Sequence, residues 1–434
     1  MADVRPFRAL RYNLEQVSAT EVMTQPYDKI TPAMQERYYL ASPYNLVRII
    51  LGRRDAGDNT VQNVYSRAAA YSQEWRAQGV LRQDSLASIY AYSQTFAGPS
   101  GGSFERRSFI ALGRVEDYSA QVVFRHEQTL AKPKADRLDL LRATRVHYEQ
   151  LFLLYEDSGE INSLLTPEPG SAPAIDVTDE YGVAHRVWQI SDSAVVASVQ
   201  HKMRDKKLVI ADGHHRYETA LNFRNECRGT TSTVPNPDAP CEFVMMTFVN
   251  MNDPALLILP THRVVHSLKS FAVEDFQNAC RAFFEIEQVK AGLDADCATS
   301  LLRERGREGT ALLAVTADRA FLLHSPKPTA SHFLAGLSER QQSLDVVQLH
   351  KCLLEGVLKL SEESIRQQQN LSYVREASEA LQMVRNGAAD IAILMNPCRV
   401  QQVRDVALAG EVMPQKSTDF YPKLLSGLTA YALD

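Results

Sequence analysis

The sequence predicts an α+β protein with mixed sheets flanked by helices. Short apolar runs alternate along the chain with stretches whose apolar residues recur at helical spacing. Breaker-rich segments at 98–102, 166–174 and 230–240 punctuate that alternation. Hydrophobic residues make up 45% and charged residues 23% of the 434, ordinary values for a chain able to bury a large core without a disulfide or metal staple.

The elements follow in order. Val61, Val64, Tyr65, Ala68 and Trp75 fall on one helical face, and Gly79 stops the helix. Residues 88–96 and 107–115 flank a glycine-rich stretch and read as paired strands. A charged helix is expected over 135–150 and a strand over 151–155. A helix over 194–204, a strand over 207–211 and a helix over 217–227 come next, then strands at 243–250 and 256–259. The last third gives strands at 309–315 and 320–324, a long helix over 344–360, a helix over 376–385, a strand over 390–395, and a helix over 399–408 closed by Gly410. Three segments are expected: 1–165, 166–270 and 271–434.

Net charge is −5, from 47 basic and 52 acidic residues, so a protein built to coat nucleic acid is not expected. Six scattered cysteines with no C-x-x-C pair suggest reduced thiols in a cytoplasmic protein. The N-terminus lacks the apolar stretch of a signal peptide, and no run approaches the ~20 apolar residues of a membrane span. No membrane partner is expected, and a homo-oligomer is left open.

The run Asp212-Gly213-His214-His215-Arg216 lies between an expected strand and an expected helix. Glycine at such a junction lets backbone approach a ligand closely, and the free N–H groups of the helix start favour an anion. Arg216, expected to be exposed, would add a bidentate grip, and His214 and His215 could donate to phosphate or shuttle protons. Asp212 could cap the helix, hold magnesium or orient a histidine. A second run places His126 beside Glu127, a pairing suited to general-base or metal chemistry, ahead of Lys132, Lys134 and Arg137, which could neutralise phosphates. A third, Lys416-Ser417-Thr418 with Tyr421-Pro422-Lys423, follows the last helix and could close over a phosphate. Zinc held by His126, Glu127, His214 and His215 is a further option, without H-E-x-x-H spacing to support it. Neither a Walker A pattern nor G-x-G-x-x-G occurs.

The runs at 5–12, 25–32, 42–49, 126–144, 210–221, 259–265 and 410–428 together resemble the bacterial domain-of-unknown-function family 1015 over essentially the whole chain. More distantly, the strand-DGHHR-helix run is similar to the signature of ParB-like free serine kinases, which share a superfamily with ParB and sulfiredoxin. That resemblance implies a nucleotide site in the middle of the chain. Gly213 and Arg216 would form the phosphate-holding G-x-x-R turn, and Asp212, His214 and His215 would face phosphate and magnesium. Glu127 is the candidate base for a hydroxyl acceptor. The implied activity is magnesium-dependent transfer of phosphate from ATP or ADP to a small hydroxylated metabolite such as serine. A ParB-type nucleotide switch and a metal-dependent hydrolase are the alternatives.

Overall fold

The computed structural model describes residues 1–99, 101–127, 131–230 and 236–434, apart from the side chains at 131–133 and 230. It is a mixed α/β structure of several sheets flanked by helices, as the alternating pattern requires. Two compact units are present. One comprises Met1–Arg125, Thr129–Leu257 and Pro422–Asp434, and the other His126–Gln128 and Ile258–Tyr421.

The first unit is built on a sheet of nine strands among the described residues. They are β1 (Val4–Arg5), β2 (Ile89–Ala97), β3 (Ser103–Arg114), β4 (Val123–Phe124), β5 (Leu151–Tyr155), β6 (Ile175–Thr178), β7 (Ala184–Ile190), β8 (Leu208–Asp212) and β9 (Phe243–Asn250). Their order across the sheet is β4-β8-β5-β9-β3-β2-β7-β6, with β1 beside β3. β2 and β3 form the expected hairpin, Tyr90 opposite Ile110 and Ala97 opposite Ser103. The sheet takes strands from both expected segments 1–165 and 166–270, because β9 lies between β3 and β5.

Side chains alternate along these strands. Ala91, Phe109, Leu151, Leu153, Ile210 and Phe248 point into one core. Helices α1 (Ser193–Met203) and α2 (His214–Thr230) close that core through Val196, Val199, Met203, Tyr217 and Ala220. Gln94, Arg106 and Phe152 lie on the opposite face, where the Arg106 guanidinium stacks 4.7 Å over the Phe152 ring. The helix expected over 135–150 is Ala131–Thr144. Arg145 takes φ +56 and ends it, and the β-branched Val146 opens a short strand, so Glu149 and Gln150 leave the helix for the approach to β5.

The second unit carries a six-stranded sheet: β10 (His262–Val265), β11 (Glu285–Val289), β12 (Ala311–Val315), β13 (Ala320–His324), β14 (Leu371–Val374) and β15 (Ile391–Met395), ordered β11-β13-β12-β15-β10-β14. The expected helix over 344–360 is α-helical only for Asp345–Gln348. It continues as a π-helix over Leu349–Val357. The wider turn carries the buried His350, whose Nε2 accepts from Arg263 at 3.2–3.3 Å. Among the described residues no helix is long and apolar enough to cross a membrane.

Asp345 gives this unit a pH signature. Burial pushes its carboxyl up to about 7 from the usual 3.8, opposed only in part by the Ala311 N–H, Thr310 and Arg399. The folded state keeps a proton that the unfolded chain releases, so this group's contribution falls as pH rises through that window. Asp345→Asn is expected to flatten the stability profile and to be the more stable chain at about pH 8 in urea melts. An unchanged slope would remove Asp345 as its source.

Candidate functional site

β8 is short and apolar because it is buried on both faces, and it ends at the half-buried Asp212. Its pairing with β5 shifts register between Ile210 and Asp212, an irregularity that re-aims the strand end. Gly213 follows at φ +95. A Cβ there would stand 3.0 Å from the Leu151 side chain and 3.2 Å from Arg216 Nε, so both conformation and space require glycine. α2 begins at once, its first bond running from Tyr217 N–H to Gly213 O at 2.9 Å. Tyr217 fixes the helix start, its hydroxyl donating to Glu116 O at 2.7 Å and accepting from Glu116 N–H at 2.9 Å.

Charges converge on this turn. Lys423 Nζ lies 2.8 Å from one Asp212 oxygen, and Arg216 Nη2 lies 3.7 Å from the other. Burial disfavours the carboxylate, but Lys423, Arg216 and Lys29 outweigh burial and hold its pKa far below the usual range. Arg216 is half-buried, which corrects the expectation of an exposed side chain: 13% of its side-chain surface is accessible, and Nη1 donates to Gln150 O at 2.5 Å. The Gln150 amide is held in turn, donating to Leu425 O at 3.0 Å and accepting from Thr247 Oγ1 at 2.7 Å. The segment bearing Lys423 is fixed through its carbonyls. Gln94 Nε2 donates to Lys423 O at 2.8 Å, and Arg106 Nη2 to Pro422 O at 2.6 Å.

A second buried carboxylate stands nearby. Glu149 accepts the Tyr27 N–H at 3.0 Å and lies 3.7 Å from Arg137. Burial pushes its pKa up, opposed by Arg216, Arg137 and the Tyr27 N–H. Arg137 donates to Ile50 O at 2.6 Å and covers the Tyr27 ring at 4.1 Å. It therefore positions the segment carrying Tyr27, Asp28 and Lys29.

Of the residues expected from the sequence, Asp212, Gly213, His214, His215 and Arg216 lie on the turn, with His214 buried and His215 half-buried. Arg137 joins them through Glu149. Lys134 pairs with Glu218 at 2.8 Å, as does Arg125 at 3.1 Å, so its charge serves α2. The Lys132 side chain lies outside the described residues. Glu127, Lys416, Ser417 and Thr418 belong to the second unit. There Glu127 Oε1 accepts the Lys416 N–H at 3.3 Å, and His126 Nε2 lies 2.9 Å from Thr418 Oγ1. Ser417 Oγ donates to Pro414 O, while Arg263 donates to Lys416 O at 3.1 Å. These groups brace their own loop.

Sequence reasoning missed Glu149 and Lys29 as site members, and named Lys423 only as part of the Tyr421-Pro422-Lys423 run that accompanies Lys416-Ser417-Thr418. Glu149 was hidden at the end of an overlong expected helix. Lys29 follows the turn-forming Pro26-Tyr27-Asp28, and that was its only signal.

Magnesium was expected at Asp212. It binds through one or two carboxylates completed by water or phosphate oxygens. Asp212 is one carboxylate whose oxygens already face cations. Among the described residues no group of three or more His, Cys, Asp or Glu side chains could hold a metal ion. That leaves no zinc centre of the kind considered from His126, Glu127, His214 and His215 among the described residues.

The fold and turn define a class: a mixed α/β protein with a strand-glycine-helix turn ringed by cations. Residues 4–347 match the model of the family described as protein of unknown function (DUF1015), and the chain belongs to that family. No curated protein matches it. Among solved structures it is similar to a conserved hypothetical protein from Pyrococcus furiosus (12% identity, covering 69% of this chain and 87% of that one, TM-score 0.34). It is also similar to a free serine kinase in complex with AMP (12%, 69% and 83%, TM-score 0.36) and to SbnI from Staphylococcus aureus (11%, 74% and 88%, TM-score 0.36). Likeness at this level leaves function to be argued from this chain's own residues.

Asp212→Asn removes the carboxylate charge that faces the half-buried Lys423 and Arg216, while Glu149 still acts on Arg216. It is expected to cost about 1–3 kcal/mol at neutral pH. Because the folded pKa is depressed, the wild-type advantage is full above the unfolded value near 3.8 and shrinks as pH falls below it. Denaturant melts across that range check this, and an equal deficit at every pH would contradict it.

Proposed function

We propose that the Gly213 turn receives the phosphates of a nucleotide such as ATP or ADP. On this reading the chain is a phosphotransferase acting on a small hydroxylated metabolite of the serine class. The observation that supports it most is the gathering of Arg216, Lys423 and Lys29 around one carboxylate at a positive-φ glycine that opens a seventeen-residue helix. Backbone N–H groups and the helix dipole favour an anion there, and the cations supply the charge neutralisation that phosphoryl transfer needs. Asp212 has a pKa too low for a base. Its role is to hold Lys423 and Arg216 in place before the anion arrives.

Two carboxylates are candidates to accept the hydroxyl proton. Glu149 lies in the same unit as the turn, and its raised pKa favours taking up a proton. Glu127, in the second unit, is the one implied by the sequence resemblance. The acceptor class rests on that resemblance alone.

Isothermal titration with ATP, ADP and CTP, with and without magnesium, tests the phosphate site. Arg216→Lys keeps the charge beside Asp212 and removes the planar fork, so nucleotide affinity is expected to fall about tenfold with the fold intact. Unchanged affinity would remove the assignment. Glu149→Gln and Glu127→Gln then separate the bases: the true base loses turnover and retains binding.

A further inference from the structure

On the core-side face of the first sheet, where β2, β3 and β7 run side by side, there is a cavity of about 250 Å³. Its floor has small side chains, Ala91 and Ser93, and its wall is Trp188. The chain from Leu165 to Ser171 forms the other side. That segment is held open. Trp188 Nε1 donates to Ser171 O at 3.1 Å, Thr166 Oγ1 to Asn162 O at 2.9 Å, and Ser171 Oγ to Glu168 O at 2.8 Å. Gln94 and Arg106, which fix the Lys423 segment, point to the other face of the sheet, so this cavity is separate from the Gly213 turn.

Two features mark it as a binding site. Ser93 is 5% exposed, and among the described residues its buried hydroxyl has no hydrogen-bond partner. That hydroxyl exposes almost no surface, so a ligand atom reaches it only when the Ser93 side chain turns toward the cavity, and the contact would then recover the free energy its unsatisfied state costs. At the rim, Arg107 and Glu105 sit two residues apart on one strand face and pair with each other at 3.0 Å. Both are about half exposed, so their mutual pairing contributes little and is readily exchanged. The Arg107 backbone is fixed by Asp253, which accepts its N–H at 3.1 Å.

We propose that this cavity binds a free α-amino acid. The ligand must offer both signs of charge within the spacing of one ion pair. A carboxylate meets the Arg107 fork and an ammonium meets Glu105. The side chain then enters over Ala91, with a polar atom for Ser93 and apolar contact for Trp188. The volume lies below the roughly 300–1,000 Å³ of sites for drug-sized ligands, which favours a small metabolite.

The test is calorimetric titration of the full chain with a panel of free L-amino acids. The same compounds as amides, which lack the carboxylate, and as deaminated acids serve as probes of each charge. At least one amino acid is expected to bind, with both modified forms weaker by about tenfold or more. Arg107→Gln and Ser93→Ala should each weaken it while leaving the melting temperature near wild type. Arg216→Lys should leave it unchanged. Binding of none of the panel, equal binding of the modified forms, survival of binding in both cavity variants, or sensitivity to Arg216→Lys would each overturn the proposal.

Discussion

A carboxylate half-buried at the end of a strand keeps its charge at little cost only when cations match it. Asp212 is matched, and much of the first unit's architecture serves that match. Arg216 reaches it from one turn along α2, because residues four apart share a helix face. Lys423 reaches it from the far end of the sequence. Gln94, Arg106 and Gln150, all buried, secure the backbone on which these cations depend. None of these side chains need touch a ligand for the turn to require them.

The consequence is a site charged before any ligand arrives. Coulomb attraction in a poorly solvated pocket is several-fold stronger than in water. A group that enters with negative charge therefore meets cations already held in place, and little reorganisation remains. The match to the family model ends at residue 347 of this chain, whereas the lysine that pairs with Asp212 lies at 423. The final thirteen residues are thus part of the first unit and complete its charge balance.

What was legible in the sequence was local. The apolar strands 151–155, 243–250 and 320–324 have the limits expected of them, because strand length and the breakers around it are encoded nearby. The DGHHR turn was legible for the same reason: a strand, a glycine and a helix start are consecutive. What was not legible depends on tertiary contact. No spacing rule connects Asp212 with Lys423, or Glu149 with Tyr27. The expected helix ran past Thr144 because residues 145–150 hold no glycine or proline, and the left-handed Arg145 that stops it has no sequence signature. The expected long helix over 344–360 hides a π segment because its hydrophobic pattern suits either winding, and the buried Arg263–His350 contact distinguishes them.

Hydrogen exchange measured by mass spectrometry, with and without ADP, tests the central claim most directly. The account predicts slowed exchange confined to the backbone amides that open α2, from Gly213 through Arg216, together with the segment around Lys423. Protection elsewhere with these two segments unchanged, or no protection at saturating ADP, would contradict it.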